Sequence, residues 1–402
     1  MSGTRTYLDW NATAPMRPEA RAAMLAALAE TGNPSSVHAE GRRARAIIET
    51  AREKVAALLG TEAHNVIFTS GATEAANQAL TPLWWADGKA RPAGRLYMSA
   101  IEHPCVLSGG RFAPGLTGLL PVTSNGILDI SVLLQTLKLH DPATGQPLVA
   151  LMLANNETGM IQPVSQAAQA VHAANGTLVC DAVQAAGRIR INMAELDTDA
   201  LFLSSHKLGG PKGAGALILA RDTVNPAPLI TGGGQERRQR SGTENVAAIA
   251  GFGAAAAAAL ADLVNMPRVA ALRDRLETSA TRDHSWSFLY HSRSSSDHSR
   301  SVASTGVAAR LPNTTLLSLH GASAETLVIQ LDLAGVAVSA GAACSSGKVK
   351  RSHVLDAMGV DPETASGTIR VSLGTTTTDD DVDRFLAAWA AIVTAHSARR
   401  AA

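Results

Sequence analysis

Residues 176–207 read GTLVCDAVQAAGRIRINMAELDTDALFLSSHK. The stretch holds two short apolar runs, Thr177–Asp181 and Ala200–Ser204, each ending on polar residues. Apolar runs of this length without alternation suit strands buried on both faces, as in a parallel sheet covered by helices. Ligands of such sheets gather beyond the carboxyl ends of the strands. The reading therefore brings Asp181, Gln184, Ser204, His206 and Lys207 to one edge.

The same pattern extends outward. Val66–Ser70, Arg95–Ala100, Leu148–Asn155 and Gly215–Ala220 read as further strands. Apolar spacing predicts helices over Ala44–Leu59, Thr73–Ala79, Val164–Ala174 and Asn245–Val264. The fold class is α/β: a large domain with a mostly parallel sheet flanked by helices. The pattern weakens after about Met266, and residues 281–310, rich in Ser, His and Arg, read as a solvated loop. It resumes with strands at Thr315–Leu319, Val336–Ser339 and Thr368–Leu373, and helices near Ala324–Leu333, Lys350–Met358 and Asp379–Val393. This second part reads as a smaller α+β C-terminal domain.

Composition narrows the function. In 402 residues, Lys+Arg 35 nearly cancels Asp+Glu 34, which argues against nucleic acid held by a basic field. Aromatic residues are 3% of the chain, too few for a single-strand stacking platform. The three cysteines, Cys105, Cys180 and Cys344, form no CxxC pair, which excludes a disulfide framework and a Cys-rich metal site. The N-terminus shows no apolar h-region, and the longest apolar stretch, Gly251–Leu263, reads as too short and alanine-rich to span a bilayer. The expectation is a cytoplasmic chain that engages neither membrane nor nucleic acid.

Polar clusters follow the strands in turn. Ser70-Gly71-Ala72-Thr73 opens a helix, where backbone N–H groups suit an anion or simply an N-cap. His103, Asn155-Asn156-Glu157, Asp181 with Gln184, and Ser204-Ser205-His206-Lys207 come next, followed by Gly209-Gly210-Pro211-Lys212-Gly213. A lysine among neutral polar groups suits a Schiff base. An aspartate ending a buried strand suits a pyridinium nitrogen, and the small-residue helix start suits a phosphate. These needs point to a phosphate-bearing cofactor, with pyridoxal 5'-phosphate and a nucleotide as the choices. The absence of GxGxxG and GxxxxGK[ST] weighs against the nucleotide.

Longer motifs carry a resemblance. Tyr7-Leu-Asp-Trp-Asn-Ala-Thr, Gly32-Asn-Pro-Ser-Ser-Val-His38, Thr69-Ser-Gly-Ala-Thr-Glu74, Glu102-His-Pro104, Asn155-Asn-Glu-Thr-Gly159, Asp181-Ala-Val-Gln184, Ser205-His-Lys207, Arg240-Ser-Gly-Thr-Glu244, Arg310-Leu-Pro-Asn313 and Ser339-Ala-Gly-Ala-Ala-Cys344 occur in order. With them the chain resembles the cysteine desulfurases of the NifS/IscS type, within the class V aminotransferases of fold type I. The resemblance runs from Tyr7 to about Phe385. It implies an aspartate aminotransferase-like fold, with residues 16–262 as the cofactor-binding domain and 1–15 with 263–402 as the small domain.

By the same resemblance, Lys207 carries pyridoxal 5'-phosphate as a Schiff base and Asp181 pairs with the ring nitrogen. His103 stacks on the ring, and Asn156 and Gln184 bond its hydroxyl. Ala72, Thr73, Ser204 and His206 hold the phosphate, and Thr243 reaches the phosphate of the other subunit of a homodimer. Arg370 binds the carboxylate of L-cysteine. Cys344 takes the substrate sulfur as a persulfide, with His103 as the group nearest to its proton, and alanine leaves. The Gly-, Ala- and Ser-rich stretch around Cys344 implies a mobile loop, whose length matches the NifS/IscS group rather than the SufS-like one. The implied partner is a sulfur-acceptor protein such as an iron-sulfur scaffold, for cluster assembly or thio-cofactor and tRNA modification. Selenocysteine lyase, or another class V reaction, is the alternative on the same scaffold, and a catalytically silent docking protein is the alternative of another class. Cys180 and Cys105 read as packing residues. The chain departs from the group at Ser339-Ala-Gly-Ala-Ala, at Gly209, where an aromatic is common, and at Thr375, where an arginine is common.

Overall fold

The structure, a computed structural model, describes residues 5–281, 287–289, 309–341 and 351–401. Its strands in chain order are β1 (Thr6–Tyr7), β2 (Val66–Thr69), β3 (Leu83–Ala86), β4 (Lys89–Ser99), β5 (Thr117–Leu120), β6 (Gln146–Met152), β7 (Thr177–Asp181), β8 (Ala200–Ser204), β9 (Gly215–Leu219), β10 (Val224–Pro226), β11 (Ser287–Leu289), β12 (Thr314–Leu319), β13 (Val336–Ala337), β14 (Ser339–Ala340) and β15 (Thr368–Ser372). The large sheet runs β10-β3-β4-β6-β7-β8-β9-β2, with β5 also on β4. Strands β4 to β8 pair in parallel. Antiparallel pairs form its margins: β9 on β8 and β2, and β3 on β4 and β10.

Side chains alternate across this sheet, so each strand feeds two cores. Val149, Leu151, Leu178, Cys180, Leu201 and Leu203 face one cluster, and Leu148, Ala150, Val179, Phe202 and Leu217 face the other. Both faces are apolar because helices cover both. On the first face, helix Val246–Ala261 packs against helices Pro18–Leu28 and Ala39–Leu59. Gly253 makes this approach possible, since a Cβ there would lie 2.5 Å from Ala51 Cα.

A second sheet, β11-β12-β15-β14, is antiparallel throughout, and β1 pairs in parallel with β13. Leu8, Val269, Leu272, Leu276, Leu317, Leu331, Ile369, Phe385 and Trp389 form its core. The N-terminal strand thus joins chain from beyond residue 263.

Three differences from the sequence reading have physical causes. Where the pattern weakens after Met266, the chain is still helical: Met266–Thr281 is a helix, whose buried face includes Arg273 and Glu277 and so lacks a clean apolar stripe. Arg273 Nη1 donates to Leu311 O at 2.6 Å, and Glu277 accepts from Arg310. The helical run Val246–Thr281 is consequently long and apolar enough to cross a membrane by length and composition, and 44% of its most apolar window is buried inside the protein. Finally, Ser287–Leu289, within the expected solvated loop, pairs with β12. Residues 282–286 and 290–308 of that loop lie outside the described residues.

Candidate active site

The ends of β6, β7 and β8 are in register: Met152 pairs with Asp181, and Asp181 with Phe202. Chain leaving these ends is shaped by buried polar side chains. After β6, Asn155 Oδ1 accepts from Glu157 N and Thr158 N, both at 2.9 Å, and Asn155 Nδ2 donates to Ile101 O at 3.0 Å. This Asx turn leaves the Asn156 carbonyl to accept from Asn11 Nδ2 at 3.1 Å and Arg370 Nη1 at 3.0 Å. After β7, Asp181 Oδ1 accepts from Val183 N at 2.9 Å. After β8, a 3₁₀ turn, Ser205–Lys207, delivers Lys207, whose Nζ donates to Asn11 O at 2.6 Å and Ala12 O at 2.8 Å. Gln184 Nε2 reaches the same Asn11 carbonyl at 3.2 Å, and His206 Nδ1 lies 2.6 Å from Thr13 Oγ1. Residues 9–13, entering from β1, lace these strand ends together.

Burial sets the charges. Asp181 is pushed up from 3.8 to about 6 by burial, against the pull of the Val183 N–H and the Lys207 charge. His103 is lowered to about 4 by burial and then by Lys207 and His353. His206 is likewise lowered to about 4, by burial and then Lys207 and Lys212. Both rings are neutral at pH 7. His103 Nδ1 accepts from Cys105 N at 3.2 Å, so its proton sits on Nε2. Glu102 is wholly buried, accepts from Met152 N at 2.7 Å, and is raised well above 4.5 by burial and the neighbouring Asp181. Lys207 pulls the Asp181 carboxyl toward its charged form, while burial and Asp181 both push Glu102 toward its protonated form. Arg370 is split between Asn156 O and Asp9, whose Oδ1 lies 2.9 Å from Nη2.

The sequence matches the aminotransferase class-V family over residues 6–385. It is 41% identical over 388 residues to a cysteine desulfurase of Cereibacter sphaeroides, an alignment covering 95% of this chain and 94% of the relative. The chain belongs to the cysteine desulfurases of the class-V aminotransferase family. Among solved structures, the NifS-like protein from Rickettsia africae superposes with a TM-score of 0.81 at 32% identity, covering 97% of this chain and 99% of that one. A structure of SspA in complex with cysteine superposes with a TM-score of 0.70 at 26% identity, covering 93% and 100%. The matches are to NifS-like fold type I proteins, and this chain has their mixed sheet and flanking helices.

In this cysteine desulfurase family member, His103, Asn156, Asp181, Gln184, Ser204, His206 and Lys207 do fall at one sheet edge, with Arg370 reaching it from β15. Ala72 and Thr73 open helix Ala72–Ala79 behind Gly71, with no side-chain cap among the described residues. Thr243 is exposed, on a segment tied to that helix by Arg240 Nε and Glu74 Oε1 at 2.9 Å. Cys344 lies outside the described residues. Cys180 is wholly buried in the sheet, and burial pushes its thiol up. Cys105 packs against the second core, and its Sγ lies 3.1 Å from His103 Nδ1. The sequence reading gave no role to Asp9, Asn11, Glu102, Glu157 or Arg188. Asp9 and Asn11 stood in a quoted motif, but only the fold brings residues 9–13 against Lys207. The departure at Gly209 has a local cause, since φ is +82° and a Cβ would meet Pro15 O at 2.9 Å. At Thr375, the carbonyl accepts from Arg268 Nη2, so an arginine of helix Met266–Thr281 reaches this turn.

Proposed function

We propose that this chain is a pyridoxal 5'-phosphate-dependent cysteine desulfurase that converts L-cysteine to L-alanine and carries the sulfur as a persulfide on Cys344. The observation that carries the reading is the convergence on Lys207: its amine shares the Asn11 carbonyl with Gln184, and Asp181, His103 and His206 each feel its charge. The residues fit the cofactor. The buried Asp181 carboxyl has one backbone donor and room in its proton balance for a ring N–H. The uncapped N–H groups of helix Ala72–Ala79 and the Ser204 hydroxyl suit a phosphate, with Thr73 and His206 beside them. When bound, the cofactor supplies an electron sink for the pair released at the substrate Cα.

The chain's own residues supply the rest. Arg370, held between Asp9 and Asn156, presents a charge for the substrate carboxylate. Lys207 Nζ takes the Cα proton and returns a proton to the product. Neutral His103 would cover the cofactor ring and have its Nε2 proton to offer. Asn156 and Gln184 would hold the ring oxygen. The Cys344 thiolate attacks the substrate sulfur: the Sγ–S bond forms, the S–Cβ bond breaks, and Cβ takes a proton to give alanine. We further infer a division into residues 16–262 and 1–15 with 263–402, a cytoplasmic homodimer in which Thr243 reaches the partner's phosphate, and sulfur delivery to an acceptor such as an iron-sulfur scaffold.

The test is to incubate purified protein with the cofactor, L-cysteine and a reductant, and measure sulfide and alanine. Equal yields are expected. Cys344→Ser should retain the cofactor and release no sulfide, and Lys207→Ala should lose the lysine-linked absorption. Full activity in Cys344→Ser refutes the persulfide route, and selenide from selenocysteine with no sulfide from cysteine refutes the substrate.

A further inference from the structure

Arg188 is 7% exposed, and among the described residues no carboxylate pairs with it. Its Nη1 donates to the Gln184 carbonyl and to Gln184 Oε1, each at 2.5 Å. Burial lowers it to about 9, with the Arg370 charge adding. Taking a guanidinium out of water without a counter-charge destabilises the fold, and such groups concentrate where a site uses them. The contact has a direction. Because Arg188 occupies the Gln184 amide oxygen, the Gln184 Nε2 must face the other way, and it meets Asn11 O, the carbonyl that also holds Lys207 Nζ. Arg188 and Lys207 both line a crevice with Trp10, Asn313 and Thr375.

We propose that Arg188 is a positioning residue that fixes the Gln184 amide with its N–H groups toward the cofactor ring and keeps a standing positive charge behind that edge. The inference rests on the cofactor reading above. It also explains how the buried charge is tolerated: the cost falls on stability and the benefit on function.

That separation can be measured with Arg188→Met, Arg188→Lys, Gln184→Ala and the double variant Gln184→Ala/Arg188→Met. Without cofactor, Arg188→Met should melt at or above the wild-type temperature, since it removes an uncompensated buried charge. Loaded with pyridoxal 5'-phosphate, it should lose about tenfold or more in kcat, with a smaller change in KM for L-cysteine. Arg188→Lys keeps the charge without the double grip and should fall between. Arg188→Met should cost little in the Gln184→Ala background, because the two act as one unit. A lower melting temperature with unchanged kcat, or fully additive losses in the double variant, overturns the proposal. If wild-type protein makes no sulfide, the functional reading fails, and the melting comparison still decides whether the charge is structural.

Discussion

Glu157 shows how burial sets the pH response at the scale of one residue. Its side chain is 2% exposed, accepts from Ser352 Oγ at 2.6 Å, and lies where a Cβ on Gly341 would come within 3.1 Å of Oε2. Burial raises it from 4.5 to about 7, although Ser352 and Arg370 pull the other way. The folded protein thus keeps a proton that the unfolded chain releases between these values. The stability this group contributes is full below about pH 4.5 and lost as pH rises through about 7. Glu157→Gln has no proton to lose. Its unfolding free energy relative to wild type, from denaturant titrations, should therefore climb between about pH 5 and about pH 8, by at most about 3 kcal/mol. A constant or shrinking difference contradicts the burial argument. His103 and His206 run in the opposite sense. Lowered from 6.5 to about 4, they contribute stability that is present above 6.5 and lost as pH falls toward 4. Imidazole resonances should show both rings still neutral near pH 5.5.

At the scale of elements, the close approach of Trp10 to Gly374 ties the N-terminal segment to the end of β15. A Cβ on Gly374 would sit 2.0 Å from the indole, so Gly374→Ala must displace the ring. The adjacent Asn11 holds Lys207, and overpacking of this kind costs roughly 1–3 kcal/mol. Denaturant unfolding should show that loss together with reduced sulfide release; unchanged stability would mean that the ring moves freely. The same elements show what the sequence could reveal. Thr177–Asp181 and Ala200–Ser204 were legible to the residue, because a strand buried on both faces is one unbroken apolar run. The β3–β4 hairpin was not read, although Asp87-Gly88, with φ of 49° and 74°, is a hairpin signal. Val336–Ser339 read as one strand but divides into β13 and β14, which join different sheets. Lys207 and Asp181 were legible because they end strands. Arg188 and Glu157 were not, because their roles depend on contacts with Gln184 and Ser352 that no local spacing encodes.

At the scale of the whole molecule, the decisive segment is 235–243. Glu236 and Arg237 hold left-handed backbone, with φ of 45° and 54°. Glu236 fixes this run by accepting from Arg52 Nη1 at 2.7 Å, Arg52 Nη2 at 2.8 Å and Phe68 N at 2.9 Å, all buried. Further along, Arg240 Nε donates to Glu74 Oε1 at 2.9 Å, and Thr243 beyond it is exposed on the surface. That placement makes sense if Thr243 serves a second copy of the chain. Complementation can decide it. Lys207→Ala lacks its own lysine, and Thr243→Asp presents a charge that repels a phosphate. In a mixed dimer with shared sites, one site combines both defects and the other combines Lys207 from one chain with Thr243 from its partner, both intact. Two preparations that are each nearly inactive should then recover roughly a quarter of wild-type sulfide release after unfolding and refolding together, since about half of the dimers are mixed and each has one good site. No recovery, with sedimentation showing mixed dimers present, would place Thr243 in the service of its own chain.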